Sequence, residues 1–169
     1  MPEINNILYA TDLSKNSAWA FKYATEMAEK YNSFIYILHV VDALPENAKN
    51  ILENYLSEDQ YRKFMNKKEE VHTAIRERLN IFCENVKNDD PQCVFRVASI
   101  EVLEGHPVKE ILNQAKKNNC DIIVMGTHGK GFIQHALLGS VAEKVIKRSK
   151  IPVMIIPIPE EETSVSFEI

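Results

Sequence analysis

Five short apolar runs, each closed by polar or turn-forming residues, alternate along this chain with longer stretches whose apolar residues return every three or four positions. Alternation between strand and helix periods is the pattern of repeated βα units, which places the chain in the α/β class around a parallel sheet. The first run is Asn6 to Thr11, and the helix after it carries Ala18, Phe21, Ala24, Met27, Ala28 and Tyr31 on one stripe, predicted to cover a sheet face. Phe34 to Val40 is apolar along most of its length, as a strand covered on both sides requires. From Asp42 to Ser57 the sequence reads as a polar connection with a short helix around Ile51, Leu52, Tyr55 and Leu56. A long helix follows, with Val71, Ile75, Leu79, Phe82 and Val86 predicted inward.

Asn88-Asp89-Asp90-Pro91 ends that helix, because proline disfavours a helical predecessor and Asn and Asp accept turn conformations. A third strand is expected within Cys93 to Leu103, before the turn Gly105-His106-Pro107. Pro107 suits a first helical position, and Val108, Ile111, Leu112 and Ala115 give that helix its buried face. The fourth strand is Asp121 to Met125, and Leu138, Val141, Ala142, Val145 and Ile146 define a last helix from near Gly139 to Arg148. Val153 to Ile156, fenced by Pro152 and Pro157, makes a fifth strand suited to a sheet edge. A length of 169 residues fits one domain, placed at 1–158, with a tail at 159–169.

Twenty Lys and Arg against twenty-four Asp and Glu leave a formal charge of -4, which offers a nucleic acid no general attraction. A single phosphorylated ligand is still compatible, because backbone N–H groups can make one site locally positive on an acidic protein. Cys83, Cys93 and Cys120 form no CxxC pair and argue against a zinc cluster or disulfide framework. The N-terminus shows no basic segment followed by an apolar one, and no apolar run approaches the ~20 residues that span a bilayer. A cytoplasmic protein without membrane or nucleic-acid partners is expected.

Four of the five glycines fall between the fourth strand and the last helix, at Gly126, Gly129, Gly131 and Gly139. Glycine permits positive φ and leaves no Cβ in a ligand's path, so such a stretch can hold an anion on backbone amides. Gly139-Ser140-Val141 at the helix start would add unsatisfied N–H groups and the positive end of the helix dipole. A tight loop with glycines only at turn positions accounts for the composition equally well. A Walker A loop fails because Phe132 follows Gly131, and a dinucleotide fingerprint starting at Gly129 meets Gln134 where glycine should stand. Asp12 and Ser14 both precede a helix and either can cap it. His128 is read as a loop residue and His39 as a hydrogen-bonded core histidine, while Lys130 is equally well read as a contact for a terminal phosphate or as a solvated loop charge.

The spacing Gly, two residues, Gly, nine residues, Gly-Ser resembles the ATP-binding motif of the universal stress protein family, met here by Gly126, Gly129, Gly139 and Ser140. Ile7 to Ser14, Leu38 to Asp42, Gly105-His106-Pro107, Asp121 to Met125 and Ile151-Pro152-Val153 also resemble the family, so most of the chain is covered. The resemblance implies a doubly wound five-stranded parallel sheet of order 3-2-1-4-5 with helices on both faces, a Rossmann-like fold of the adenine nucleotide alpha hydrolase type. It implies that Asp12 and the backbone at Val40 hold the adenine and ribose end of ATP or AMP, with or without Mg2+. Gly126 would lie against the ribose, and Gly129, Gly139, Ser140 and Val141 would cradle the phosphates. A homodimer through the fifth strand, joined by the tail, and a regulatory role in stress adaptation are further implications.

No catalytic residue is assigned, since no general base, arginine finger or magnesium-binding carboxylate pair is placed for phosphoryl transfer; ATP turnover is expected to be weak at most. Two other readings compete. One is a non-nucleotide dimeric interaction module of the same fold, acting through the 42–57 connection. The other is an adenylating enzyme, disfavoured because Thr11-Asp12-Leu13-Ser14 stands where those enzymes have a Ser-Gly-Gly loop.

Overall fold

The computed structural model describes residues 3–89, 95–127 and 138–157. Five strands, β1 (Asn6–Thr11), β2 (Phe34–Asp42), β3 (Arg96–Gly105), β4 (Ile122–Gly126) and β5 (Val153–Ile156), form one parallel sheet in the order β3-β2-β1-β4-β5. Among the described residues five helices accompany them: α1 (Lys15–Tyr31), α2 (Glu46–Tyr55), α3 (Glu58–Asp89), α4 (Pro107–Lys117) and α5 (Ser140–Arg148). Among the described residues no helix is long and apolar enough to cross a membrane.

The continuous apolarity of β1 is explained by its central place. Ile7 and Tyr9 belong to the core under α1 and α3, while Leu8 and Ala10 belong to the core under α4 and α5. Successive strand residues face opposite sides, so a strand covered on both must be apolar at every position. Phe21 of α1 anchors the first core, with ring centroids 4.9 Å from Tyr9, 5.3 Å from Phe82 and 5.6 Å from Phe95. At the opposite end of the sheet from the strands' C-termini, the Asp121 carboxylate accepts the Asn5 and Asn6 amides at 2.8 and 2.9 Å, joining the start of β1 to the approach to β4.

Several expectations are corrected. β2 runs on to Asp42, and β3 occupies Arg96–Gly105; Cys93, from which the third strand was expected, lies outside the described residues. Tyr31 is exposed at the last turn of α1, where Asn32 leaves the helix with φ 57°. Val71 is also exposed, and neighbouring His72 is half-buried in its place. The inward stripe of α3 therefore runs through positions 68, 72, 75 and 79, which satisfy helical spacing as well as 71, 75 and 79 do.

Lys68 and Glu104 form a salt bridge that fixes α3 beside the C-terminal end of β3. Because α3 returns the chain between two parallel strands, the ten residues ahead of Lys68 carry it roughly 15 Å past the sheet. α2 adjoins this projection and buries none of its residues, leaving Ile51 and Tyr55 exposed.

Candidate functional site

The ends of the central strands create a crevice. β1 stays paired with β2 through Thr11 but with β4 only through Tyr9, while β4 stays paired with β5 through Gly126. The last two residues of β1 and β4 thus part company, which is the switch point at which open α/β sheets accept ligands. A cavity of about 500 Å³ lies there, and Asp12, Val40, Gly126, Gly139, Ser140 and Val141 all line it. Gly129, the remaining glycine of the motif, and the neighbouring His128 and Lys130 lie outside the described residues.

One wall begins α1. Ser14 is its N-cap, its side chain accepting the Ser17 amide at 3.2 Å. Asp12 instead accepts the Ser14 amide through Oδ1 at 3.1 Å, closing a turn just outside the helix. Leu13, between them, has φ 64°, a left-handed conformation costly for a residue with a Cβ. Compensation comes from side chains: Thr11 Oγ1 accepts the Leu13 amide at 3.0 Å and bonds Ser17 Oγ at 2.9 Å, and Leu13 packs on the first core. Tyr9 donates to the Ser17 carbonyl at 2.6 Å, and burial pushes its phenol well above the ordinary range, so it is a fixed donor.

The facing wall begins α5 and is built differently. Gly139 is the N-cap and makes no side-chain cap bond, and the first intrahelical bond runs from Glu143 N–H to the Gly139 carbonyl at 2.9 Å. The amides of Ser140, Val141 and Ala142 precede that bond, and all three residues line the cavity. Helix starts of this kind offer donors and partial positive charge to an anion.

Two details revise the sequence reading. Gly139 has φ -68° and ψ 151°, open to any residue, and no described glycine has positive φ. Its own N–H donates to the Thr127 carbonyl at 2.7 Å, so its amide helps to close the loop, and the donors nearest the cavity come from the three residues after it. Glu143, the acidic residue of the first turn, is paired with Lys147 at 2.5 Å, and that bond holds its carboxyl below the usual range.

The floor contains a residue that the sequence reading left in the core. His39 is buried and bonded as expected, with Nδ1 2.8 Å from the Thr11 carbonyl, and it also lines the cavity. Its position near the end of an apolar run was the available signal, and its alignment with Thr11 emerges only from the ladder. Asp42 lies on the rim as well.

The sequence profile of the universal stress protein family matches residues 3–157. The chain belongs to the universal stress protein family. Among its relatives, Universal stress protein MJ0577 of Methanocaldococcus jannaschii is 33% identical over 151 residues, covering 89% of this chain and 93% of its own length. The solved structure of MJ0577 superposes with a TM-score of 0.70 and 31% identity, covering 95% of this chain and 100% of that one. A universal stress protein in complex with cAMP shares the fold at a TM-score of 0.59 and 21% identity, covering 94% of this chain and 100% of its own. So does a family protein from Arabidopsis thaliana with AMP bound, at a TM-score of 0.56 and 17% identity, covering 94% of this chain and 95% of its own. The fold expected from the resemblance is the one found, including the order of all five strands.

Proposed function

We propose that this universal stress protein binds an adenine nucleotide, ATP or AMP, in the crevice between β1 and β4, and that occupancy biases a surface read by a partner during stress adaptation. The observation that carries the reading is the start of α5, whose Ser140, Val141 and Ala142 amides border a cavity that also holds Asp12 and Val40. Each charge-assisted hydrogen bond to a phosphate contributes about 1.5–3 kcal/mol, so a few suffice for micromolar binding. Asp12, as a carboxylate acceptor, suits ribose hydroxyls, and the backbone at Val40 suits the base edge. Gly126 gives the ribose close approach, and Gly129, Gly139, Ser140 and Val141 surround the phosphates. Relatives with bound cAMP and AMP support the ligand class.

Among the described residues no group of three His, Cys, Asp or Glu is placed to hold a metal, so Mg2+ in this reading enters with the phosphates. The domain is assigned to 1–158, the protein to the cytoplasm, and the homodimer to the edge of β5, joined by the tail.

Calorimetry with ATP and AMP on the wild type and Gly139→Val tests the reading. Val is compatible with the backbone at 139, so circular dichroism should show a folded variant. Its branched side chain should crowd the phosphates and abolish measurable binding; a folded variant that binds normally refutes the site. The unburied α2 favours a second reading, an interaction module that needs no nucleotide. No thermal shift of the wild type at millimolar ATP or AMP would select it.

A further inference from the structure

We infer that His39 is a positioning residue for the nucleotide site, holding the Asp12 turn in place from the neighbouring strand. The proposal rests on the nucleotide reading above and extends it to a residue that touches the turn rather than the ligand's phosphates.

The turn from Thr11 to Ser14 is held largely from within its own βα unit. Thr11 Oγ1 accepts the Leu13 amide, Asp12 Oδ1 accepts the Ser14 amide, and Ser17 Oγ reaches both Thr11 Oγ1 and the Ser14 carbonyl, at 2.9 Å each. These contacts span six residues or fewer; beyond them the turn is tied to the rest of the molecule by Leu13, packed on the first core, and by the ladder pairing of Thr11 with β2. The His39 contact is different, because it links Thr11 to a residue 28 positions away on β2. A carbonyl oxygen can only accept, so Nδ1 carries the proton and donates to it. The bond falls at Thr11 and His39, the last aligned pair of β1 and β2, beyond which β2 continues with β3 and β1 turns away.

The next residue along the chain from each partner is a proposed ligand contact: Asp12, just past β1, after Thr11, and Val40, on β2, after His39. One imidazole therefore adds a side-chain hydrogen bond to the ladder pairing that spaces the acceptor for the ribose from the backbone that meets the base. The turn it holds includes Leu13 at φ 64°, and a non-glycine residue in that region persists only where its surroundings over-determine it. Removing this side-chain tie should let the turn relax and move the Asp12 carboxylate.

Three substitutions separate this role from simple packing. Asn places its amide N–H near the position of Nδ1, Gln places it near that of Nε2, and Leu fills space with no donor. With ATP in a calorimeter, His39→Asn should bind within about twofold of the wild type, while His39→Leu and His39→Gln should each lose about fivefold, the factor of one neutral hydrogen bond. In ligand-free protein, amide exchange followed by NMR should accelerate at Leu13 and Ser14 in the Leu and Gln variants and stay near wild type in the Asn variant. Thermal melts check folding; should the Leu variant not fold, the Asn and Gln pair still decides. Equal affinity and exchange in the wild type, Asn and Gln proteins, or an Asn variant as weak as Gln, would overturn the role. If the wild type binds neither ATP nor AMP, the nucleotide reading falls, and the exchange measurements alone decide whether His39 holds the turn.

Discussion

Of the helices that start at the crevice, α1 and α5 treat their first amides in opposite ways. α1 opens with Ser14 as cap, its hydroxyl accepting the Ser17 amide, and Thr11 Oγ1 and the Asp12 carboxylate accept the Leu13 and Ser14 amides just ahead of the helix. α5 opens with Gly139, which has no side chain to offer, and leaves the Ser140, Val141 and Ala142 amides beside the cavity. A cap residue thus decides whether a helix dipole is spent on the protein's own side chains or kept for an outside anion. Gly139 matters here for the atoms it lacks, since its backbone conformation is available to every residue.

Giving α5 the kind of cap that α1 has is the most damaging way to break this contrast. Gly139→Asp would place a carboxylate among the three amides, and nucleotide affinity should fall by about 30-fold or more, from lost donors and added repulsion. Melting temperature should hold or rise, because Asp is at least as good an N-cap as Gly; unchanged calorimetric affinity would show that the phosphates go elsewhere. The reverse change acts on stability. Ser14→Ala removes the α1 cap and should cost about 1 kcal/mol, or roughly 2–4 °C in melting temperature.

Lys68→Met lies outside both walls and serves as a control. Burial alone would raise the Glu104 pKa, but its bond to Lys68 outweighs that and holds the carboxyl below the usual range. A folded-state value below the unfolded one stabilises above the ordinary carboxylate pKa of ~4.3, and the contribution disappears as pH falls through the folded value. The variant should melt slightly lower than the wild type at pH 7, by less than about 1 kcal/mol for a partly exposed pair. The difference should close in acid, and ATP affinity should stay within about twofold, since the pair lies away from both helix starts.

The smallest effect concerns two thiols, one under each wall. Cys83 packs in the core beneath α1 and Cys120 in the core beneath α5, and burial pushes both thiols up to about 12. Alkylation at pH 8 followed by peptide mapping should leave both unmodified, with or without nucleotide, until the protein is unfolded. Protection lost at one cysteine alone would show that its wall opens independently.

Much of the fold was legible because periodicity is a local property. β1 and β5 have the ends expected from their apolar runs, and α5 begins one residue after the glycine that announced it. Reading failed where two registers satisfy the same spacing, as at Val71 and His72, and at a helix end such as Tyr31, where the stripe outlasts the sheet beneath it. α2 was anticipated only as a short helix inside a connection, because it packs so little that burial leaves a weak pattern.

The order of residues alone determined the succession of strands and helices and the glycine spacing that points to an anion site, because both depend on near neighbours. Tertiary structure decided which amides are open. It showed that the Gly139 N–H is committed to Thr127, that Ser14 rather than Asp12 caps α1, and that His39 reaches across to Thr11. Each of these is a choice between partners, and a hydrogen bond's partner is fixed only when the sheet has brought distant segments within 3 Å of one another.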